Sequence, residues 1–212
     1  MPENGKYYYK TANVDSNLHQ KADMEHGAYN LAVNPEYYEV QRGNTFEFCV
    51  YDLNNITRAP GAANRYAVAN AEEVIRLSVE AAFVPHFSQG SVQVQRGNTT
   101  INFAGVPTFS SGELTLQDYI GAGTLEALMA WQNCSFNIET EKVGLAKDYK
   151  KECTLTEYTP TWQPVRQWRL YGCWLSNLSE TSFSYTNGDK HQITATITYD
   201  YAKLEEMSEV TV

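Results

Sequence analysis

The sequence lacks several features that would assign it to a class at once. It has no run of about 20 consecutive apolar residues, which is the length that a membrane-spanning helix needs. Its first residues, MPENGKYYYK, lack the charged-then-apolar order of a secretory signal peptide. These absences predict a chain without a membrane anchor that stays in the reducing compartment where it is made.

The cysteines lack the spacing of a metal or redox motif. Cys49, Cys134, Cys153 and Cys173 are far apart and contain no Cys-x-x-Cys pair. In a reducing compartment, cysteines with this spacing are typical of buried free thiols and not of disulfides or a zinc site. We therefore predict four free thiols.

Basic residues are scarce. Lys and Arg number 16 against 25 Asp and Glu, so the formal net charge is −9. Proteins hold nucleic acid chiefly by placing Lys and Arg on its phosphates, so this balance argues against tight DNA binding. A conduit that passes DNA without holding it would benefit from an acidic lining. Ordinary solubility explains the same charge equally well.

Catalytic motifs are also missing. The sequence has no Gly-x-Ser-x-Gly, Walker, Gly-x-Gly-x-x-Gly or His-Glu-x-x-His pattern. His19 and His26 flank Asp23 and Glu25, which could in principle bind a metal weakly, but a solvated polar segment is favoured. Cys134 would be a nucleophile only beside a histidine. We predict no catalytic residues, no cofactor and no metal, and therefore a protein that is not an enzyme.

The dominant positive signal is alternation of apolar and polar residues with a period of two, which places side chains on opposite faces of a strand. It is clearest in residues 191–201, and residues 74–83 alternate likewise. Residues 150–158, 165–175 and both halves of 91–103 also fit strands. The pattern predicts an α+β fold in which β-structure dominates.

A short internal repeat indicates two hairpins. The run VQRGNT occurs at residues 40–45 and again at 94–99. Gly43 and Gly97 can adopt the positive φ that a short hairpin loop needs. Chance repetition of turn chemistry and duplication of a β unit explain the repeat equally well.

One helix is predicted at residues 124–132. Thr124 can cap its N-terminus, and four side chains fall on one face. These four are Leu125, Leu128, Met129 and Gln132. The helix most simply covers an open side or end of the sheets.

Two stretches resist regular assignment, residues 1–36 and residues 53–71. The second is rich in Asn, Ala, Gly and Pro, and a loop of this length is uncommon inside a compact domain. Such loops usually serve an interface or are disordered until they bind, and we favour the first interpretation for residues 53–71, as an interface loop.

An aromatic group near the C-terminal strands has two interpretations. Its members are Trp162, Trp168, Tyr171 and Trp174. They would form a sugar-stacking platform if they were exposed beside a carboxylate such as Glu157 or Glu180. However, Trp168 and Trp174 share a strand face with Leu170 by parity, which favours a core or a subunit interface.

The order of these elements resembles that of bacteriophage tail tube proteins, above all the contractile-tail type, which are related to the tube proteins of type VI secretion systems. The resemblance rests on residues 74–201. Its segments are Glu73–Gly105, Phe109-Ser-Ser-Gly-Glu-Leu-Thr-Leu, the helix ending in Met129-Ala-Trp131, Asp148–Tyr158, Val165–Trp174 and Ile193–Tyr201. The N-terminal 40 residues have no counterpart in this pattern.

The resemblance implies a fold and an assembly. Two packed antiparallel sheets would form a β-barrel or sandwich with one flanking helix, in a single domain over residues 1–212. Six subunits would close into a ring, and rings would stack into the tube of a virion tail that is assembled in the host cytoplasm. DNA would pass through the lumen without specific binding, with acidic and Thr-rich strand faces turned inward. Sheath, tape measure and baseplate proteins would be the other partners.

The same resemblance assigns a role to the interface loop at residues 53–71. The loop would reach the next ring, and four of its residues are candidates for inter-ring or inter-subunit contact: Arg58, Asn64, Arg65 and Tyr66. Two alternatives stay open for the whole chain. One is another ring protein of a phage tail or injection system, such as a baseplate tube initiator, a tail terminator or a type VI secretion tube. The other is a carbohydrate-binding or hydrolytic β-domain.

Overall fold

The computed structural model describes residues 40–58, 68–186 and 188–205. They belong to two compact units. The larger unit comprises residues 46–157 and 166–206, and the described part of the smaller one is residues 40–45 and 158–165. No helix in these described ranges is long and apolar enough to cross a membrane. The predicted N-terminal extension, residues 1–36, lies outside the described residues, as do His19 and His26.

In the smaller unit, two chain segments are joined by hydrogen bonds. The Thr45 hydroxyl donates to the Tyr158 carbonyl at 2.8 Å, and the Tyr158 amide donates to the Thr45 carbonyl at 2.9 Å. Gly43 lies in a turn, but residues 40–42 are not in a strand and Gly43 does not adopt a positive φ. The hairpin predicted around Gly43 is therefore wrong over these residues.

The chain forms strands and helices with the following bounds. The strands are β1 Phe46–Val50, β2 Val79–Ala81, β3 Phe87–Arg96, β4 Thr99–Phe109, β5 Gly112–Gln117, β6 Phe136–Asn137, β7 Lys142–Val143, β8 Lys151–Tyr158, β9 Pro164–Glu180, β10 Gln192–Thr198 and β11 Tyr201–Glu205. The helices are α1 Leu53–Arg58, α2 Ala71–Ser78, α3 Thr124–Ser135 and α4 Ala146–Tyr149. These eleven strands and four helices of the described residues confirm the mainly-β fold with a flanking helix.

Seven strands form the main antiparallel sheet, in the order β1-β8-β9-β10-β5-β2, with β11 beside β9. The 17-residue strand β9 organises this sheet, because β11 pairs with its first part and β10 with its second. The core is formed by side chains of this sheet and of helices α1, α2 and α3. Its largest buried side chains include Trp131, Phe48, Leu53, Ile75, Leu114, Leu116, Leu170, Leu175, Ile193 and Ile197.

The alternation predicted for residues 191–201 is confirmed up to Tyr199. Ile193, Ile197 and Tyr199 are buried, while the threonines between them lie on the other face. Across the strand pair, Leu116 faces Ile193, so both strands contribute apolar side chains to the same core. The strand ends at Thr198, and Tyr201 is exposed.

The strand predicted for residues 74–83 is wrong over most of its length. Residues 71–78 form helix α2, and only β2 is a strand. The buried positions 71, 75 and 78 have helical spacing, and two glutamates in the first turn suit a helix N-terminus. Ile75 is buried but Leu77 is 64% exposed, so the apparent alternation did not reflect a common buried face.

The predicted helix is confirmed as α3, which extends to Ser135. Thr124 is not its N-cap, because Gly123 occupies that position in a left-handed conformation with φ of 75°. The Thr124 hydroxyl instead shares a buried hydrogen bond of 3.0 Å with Ser78 of α2. Leu128 is buried as predicted, but the largest side chain that α3 buries is Trp131.

The parity argument for Trp168 and Trp174 is wrong, because β9 is irregular at Gly172. This glycine has a φ of +66°, and the buried positions shift from Leu170 to Cys173 across it. Trp168 packs against the core, whereas Trp174 contacts Tyr149 at 6.3 Å between ring centroids. The two tryptophans therefore do not share a face.

Gly172→Ala is expected to lower the free energy of unfolding by about 2 kcal/mol. The positive φ strains any residue with a Cβ, and a Cβ here would overlap the carboxylate of Asp200, which pairs with Lys150 at 2.7 Å. Urea denaturation measures the loss. Gly188→Ala is the matched control because that glycine is open and its φ is not positive. Equal stability of both variants would contradict the strain argument.

The four cysteines are free, as predicted. Cys153 and Cys173 are buried, and Cys49 and Cys134 are half-buried. Burial, reinforced by the negative charge of Glu47, raises the pKa of Cys49 to about 11. Burial also raises the pKa of Cys134 and Cys153. These thiols stay protonated near neutral pH, which makes them poor nucleophiles.

Candidate assembly surface

The predicted interface loop is only partly described. Its first residues form helix α1, which ends at Arg58. The other predicted contact residues, Asn64, Arg65 and Tyr66, lie outside the described residues, and so does the side chain of Arg58. Their contact role therefore stays a prediction.

The two ends of this loop are held together. The backbone amide of Asn54 donates to the Glu72 carboxylate at 3.4 Å, and the backbone amide of Glu72 donates to the side-chain oxygen of Asn54 at 3.3 Å. Leu53 and Ile56 of α1 are buried in the core. Helices α1 and α2, which this segment connects, therefore both belong to the larger unit.

The longest exposed element of the larger unit is the hairpin β3–β4. All ten residues of β3 and nine of the eleven residues of β4 are exposed. At about 3.3 Å per residue, strands of this length extend roughly 33 Å. Within the described residues the two strands pair only with each other, so each has an open outer edge. An isolated two-stranded hairpin is at best marginally stable in water, so this one calls for a partner.

The hairpin has one apolar face. The register places Val92 opposite Phe103 and Val94 opposite Ile101. Each of these four side chains is between 44% and 56% exposed. Contiguous exposed apolar side chains of this kind mark interaction surfaces in soluble proteins.

The opposite face of the hairpin is polar and uncharged. Gln93 faces Asn102 and Gln95 faces Thr100. Arg96 is the only charged residue between Phe87 and Phe109. Charged side chains on a solvent-exposed strand pair keep its open edges from pairing with other chains. Their absence is the sequence signal for an assembly surface, and the strand prediction for residues 91–103 did not use it.

Aromatic side chains anchor the base of the hairpin. The ring centroids of Phe87 and Phe109 are 5.7 Å apart, and those of Phe109 and Tyr199 are 5.8 Å apart. Tyr199 stacks on Phe83, which contacts the fully buried Phe48. The hairpin therefore projects from the core at a fixed base.

The main sheet has a polar face opposite the core. Thr194 faces Thr115 on one neighbouring strand and Ser179 on the other. Thr196 faces Glu113 and Asn177 in the same way. This is the Thr-rich strand face that the sequence predicted, and Glu113 gives it a negative charge.

The aromatic group does not form the sugar platform that was considered. Trp168 packs against the core and Tyr171 stacks on Tyr201 at 4.6 Å. The candidate carboxylates are engaged, since Glu157 pairs with Arg166 at 2.8 Å and Glu180 lies 3.7 Å from His191. Among the residues that the structure describes, no group of three His, Cys, Asp or Glu could hold a metal ion.

Comparison with known proteins identifies the fold. No protein-family model matches the sequence, and no curated protein matches it. Among solved structures, the tube-terminating cap of the anti-feeding prophage matches with a TM-score of 0.58 and 13% identity, over 79% of this chain and 92% of that chain.

Two structures of an extracellular contractile injection system, PVC, also match. A chain of its extended sheath–tube complex has a TM-score of 0.55 and 16% identity, covering 84% of this chain and 97% of that chain. Its sheath/tube terminator has a TM-score of 0.55 and 15% identity, covering 76% and 94%. This chain has the fold of tail tube and terminator proteins. The resemblance to the tube family is thereby confirmed at the level of fold.

Proposed function

We propose that the chain is a structural subunit of a bacteriophage-type tail tube, in which six copies close into a ring and rings stack into a conduit. The observation that carries this proposal is the exposed hairpin β3–β4, with its apolar face and its two open edges. Neighbouring copies would cover that face and pair with those edges. The fold shared with tube and terminator proteins supports the same role.

A terminating ring is the second candidate. The structural similarity to the anti-feeding prophage cap, with a TM-score of 0.58, favours a terminating ring. The similarity to the sheath–tube complex favours a tube subunit to the same degree. The two roles differ in whether rings continue to stack. In either role the sheath, tape measure and baseplate proteins of the particle are the expected partners, and the virion or injection particle is the expected location.

Negative-stain electron microscopy over a range of protein concentrations, beside light scattering for mass, tests the proposal. Hollow tubes of constant diameter are the expected result for a tube subunit, and single rings with a central hole for a terminator. A chain that stays monomeric up to millimolar concentration would argue against both roles, and it would make a sugar-binding screen the next experiment.

The polar face of the main sheet is proposed to line the conduit. The six side chains named on this face, on β5, β10 and the second part of β9, are short, uncharged or negative and would not hold the phosphates of passing DNA. Thr115, Thr194 and Thr196 lie on this face at the centre of the sheet. We expect Lys at all three positions to make assembled tubes retain short duplex DNA at 50 mM salt and to slow DNA ejection from particles.

The control for this prediction is glutamine at the same three positions, which adds length without charge. Retention by the lysine variant should fall steeply as salt rises, because Lys–phosphate contacts release counterions. A lysine variant that retains no more DNA than the glutamine variant would place this face outside the lumen.

A further inference from the structure

His191 lies where the ends of three strands of the main sheet meet. β5 ends at Gln117, β9 ends at Glu180 and β10 begins at Gln192. The register places Gln192 opposite Gln117 and Ile193 opposite Glu180, so these strand ends lie at the same end of the sheet. His191 directly precedes β10 and is the last residue of the loop that connects β9 to β10. Its side chain can therefore join this loop to the sheet.

Both ring nitrogens of His191 face oxygen atoms that accept hydrogen bonds. Nδ1 lies 3.5 Å from a carboxylate oxygen of Asp118, which follows β5 directly. Nε2 lies 3.1 Å from the carbonyl oxygen of Thr181 and 3.7 Å from a carboxylate oxygen of Glu180. The ring thus has an acceptor at each nitrogen, and two of the three acceptors belong to acidic side chains.

This arrangement suits a protonated imidazole better than a neutral one. A neutral ring has a single N–H, so its other nitrogen would turn a lone pair toward an oxygen that also carries lone pairs. A protonated ring donates from both nitrogens, and its charge is attracted to both carboxylates. Because the His191, Asp118 and Glu180 side chains are partly exposed, we expect the attraction to be moderate.

An aromatic side chain from the loop also favours the protonated ring. Phe183 stacks on the imidazole of His191, with ring centroids 4.6 Å apart and an angle of 6° between the planes. The face of an aromatic ring attracts a cation that lies within about 6 Å of its centre. Although Phe183 is 85% exposed, this contact links the middle of the loop to its last residue.

The other charged side chains near the ring are Glu80, Asp189 and Lys190. Glu80 of β2 pairs with Lys190 and accepts a hydrogen bond of 2.6 Å from the Gln192 side chain. Asp189 precedes Lys190 in the loop. Imidazoles, unlike carboxylates and lysine ammonium groups, are the side chains that ordinarily change charge between about pH 5 and 8. His191 is therefore the group at this end of the sheet that can respond to pH in that range.

We infer that His191 is a pH-dependent latch, in which a proton on its ring fastens the loop of residues 181–191 to the end of the main sheet. Loss of that proton as the pH rises removes the attraction to both carboxylates and loosens the loop. The loop carries two exposed aromatic side chains, Phe183 and Tyr185, so the latch controls how firmly they are held. The inference concerns the single chain and is independent of the proposed ring function.

Hydrogen exchange followed by mass spectrometry tests the latch, on the full chain at a concentration below that of assembly. The amide of Thr181 donates to the Gln192 carbonyl at 3.0 Å, and the amide of Asp118 donates to the His191 carbonyl at 3.2 Å, so both report on loosening. After correction for the intrinsic effect of pH on exchange, peptides covering residues 181–192 should exchange about fivefold faster at about pH 8.5 than at about pH 5.5. Peptides from β8 should show no such change.

Two variants assign this effect to the ring and its partner. His191→Gln is uncharged at both pH values, so its loop should exchange at the faster rate at both. Asp118→Asn offers a donor to Nδ1 of a neutral ring, so it should reduce the pH dependence while the loop stays fastened.

His86→Gln is the matched control, because His86 is exposed and its Nδ1 lies 3.3 Å from the Val84 carbonyl, away from this loop in sequence. It should retain the full pH dependence. Equal exchange of the unmodified loop at both pH values, or faster exchange at the lower one, would overturn the latch. A pH dependence that survives in His191→Gln, or that disappears in His86→Gln, would overturn it as well. None of these results bears on whether the chain forms rings.

Discussion

Under the proposed ring function, a chain with Val94→Lys and Ile101→Glu is expected to remain monomeric at concentrations more than 100-fold above those at which the unmodified chain assembles. The two residues face each other on the apolar face of the hairpin β3–β4 and are each 44% exposed. Burial of an aliphatic side chain contributes about 1.5–3 kcal/mol, so losing two contacts and burying two charges costs at least a factor of 100. Electron microscopy and sedimentation velocity measure the loss.

The design preserves the hairpin and the net charge. Lys and Glu directly opposite each other stabilise a strand pair, so the substitution removes the apolar face without breaking the register. The matched control is Gln95→Lys with Thr100→Glu, the neighbouring pair on the polar face of the same strands. The control should assemble normally. Equal assembly of both variants would show that the apolar face is not an interface.

The alternating pattern predicted strands correctly where one face belongs to the chain's own core. In residues 193–199 every apolar position is buried and every threonine lies on the other face. The same pattern failed at residues 74–83. An alternating pattern places Leu77 on the same strand face as Ile75, but residues 71–78 form a helix and Leu77 is exposed. Periodicity identifies apolar positions and does not say whether the chain itself or a neighbour covers them.

The candidate site was predicted in part. Composition drew attention to residues 53–71, yet the longest exposed element that the structure describes is elsewhere, the hairpin β3–β4. The near absence of charge between Phe87 and Phe109 could have identified the hairpin from the sequence. The exposure of Phe136 and Val143 could not have been found in this way, because it depends on how β6 and β7 turn back from the end of α3.

Local backbone irregularities set a further limit. Gly172 interrupts a 17-residue strand and shifts its buried positions, so parity could not place Trp168 and Trp174. A glycine within an apolar strand is a signal for such a bulge, but it does not fix the direction of the shift. The resemblance to tube proteins was more robust, because it rested on the order of elements and not on any one face.

Trp131→Ala is expected to lower the free energy of unfolding by about 3–5 kcal/mol, the range for loss of a large buried aromatic side chain. Trp131 is 1% exposed in the core, and its indole is hydrogen-bonded to the Tyr149 carbonyl. The substitution leaves a cavity and removes the link between α3 and α4. Because assembly would add to apparent stability, the measurement is best made by urea denaturation in the monomeric Val94→Lys, Ile101→Glu background.

Two further variants separate the parts of this effect. Trp131→Phe keeps most of the packing but leaves the Tyr149 carbonyl without its donor, so we expect a loss of about 1–3 kcal/mol. Trp162→Ala removes a tryptophan that is 65% exposed and should change stability by about 0.5 kcal/mol. Similar losses for Trp131→Ala and Trp162→Ala would mean that α3 is not packed in the core. If the Trp131→Phe loss stays within about 1–3 kcal/mol, most of the stabilisation by Trp131 comes from packing and not from its hydrogen bond.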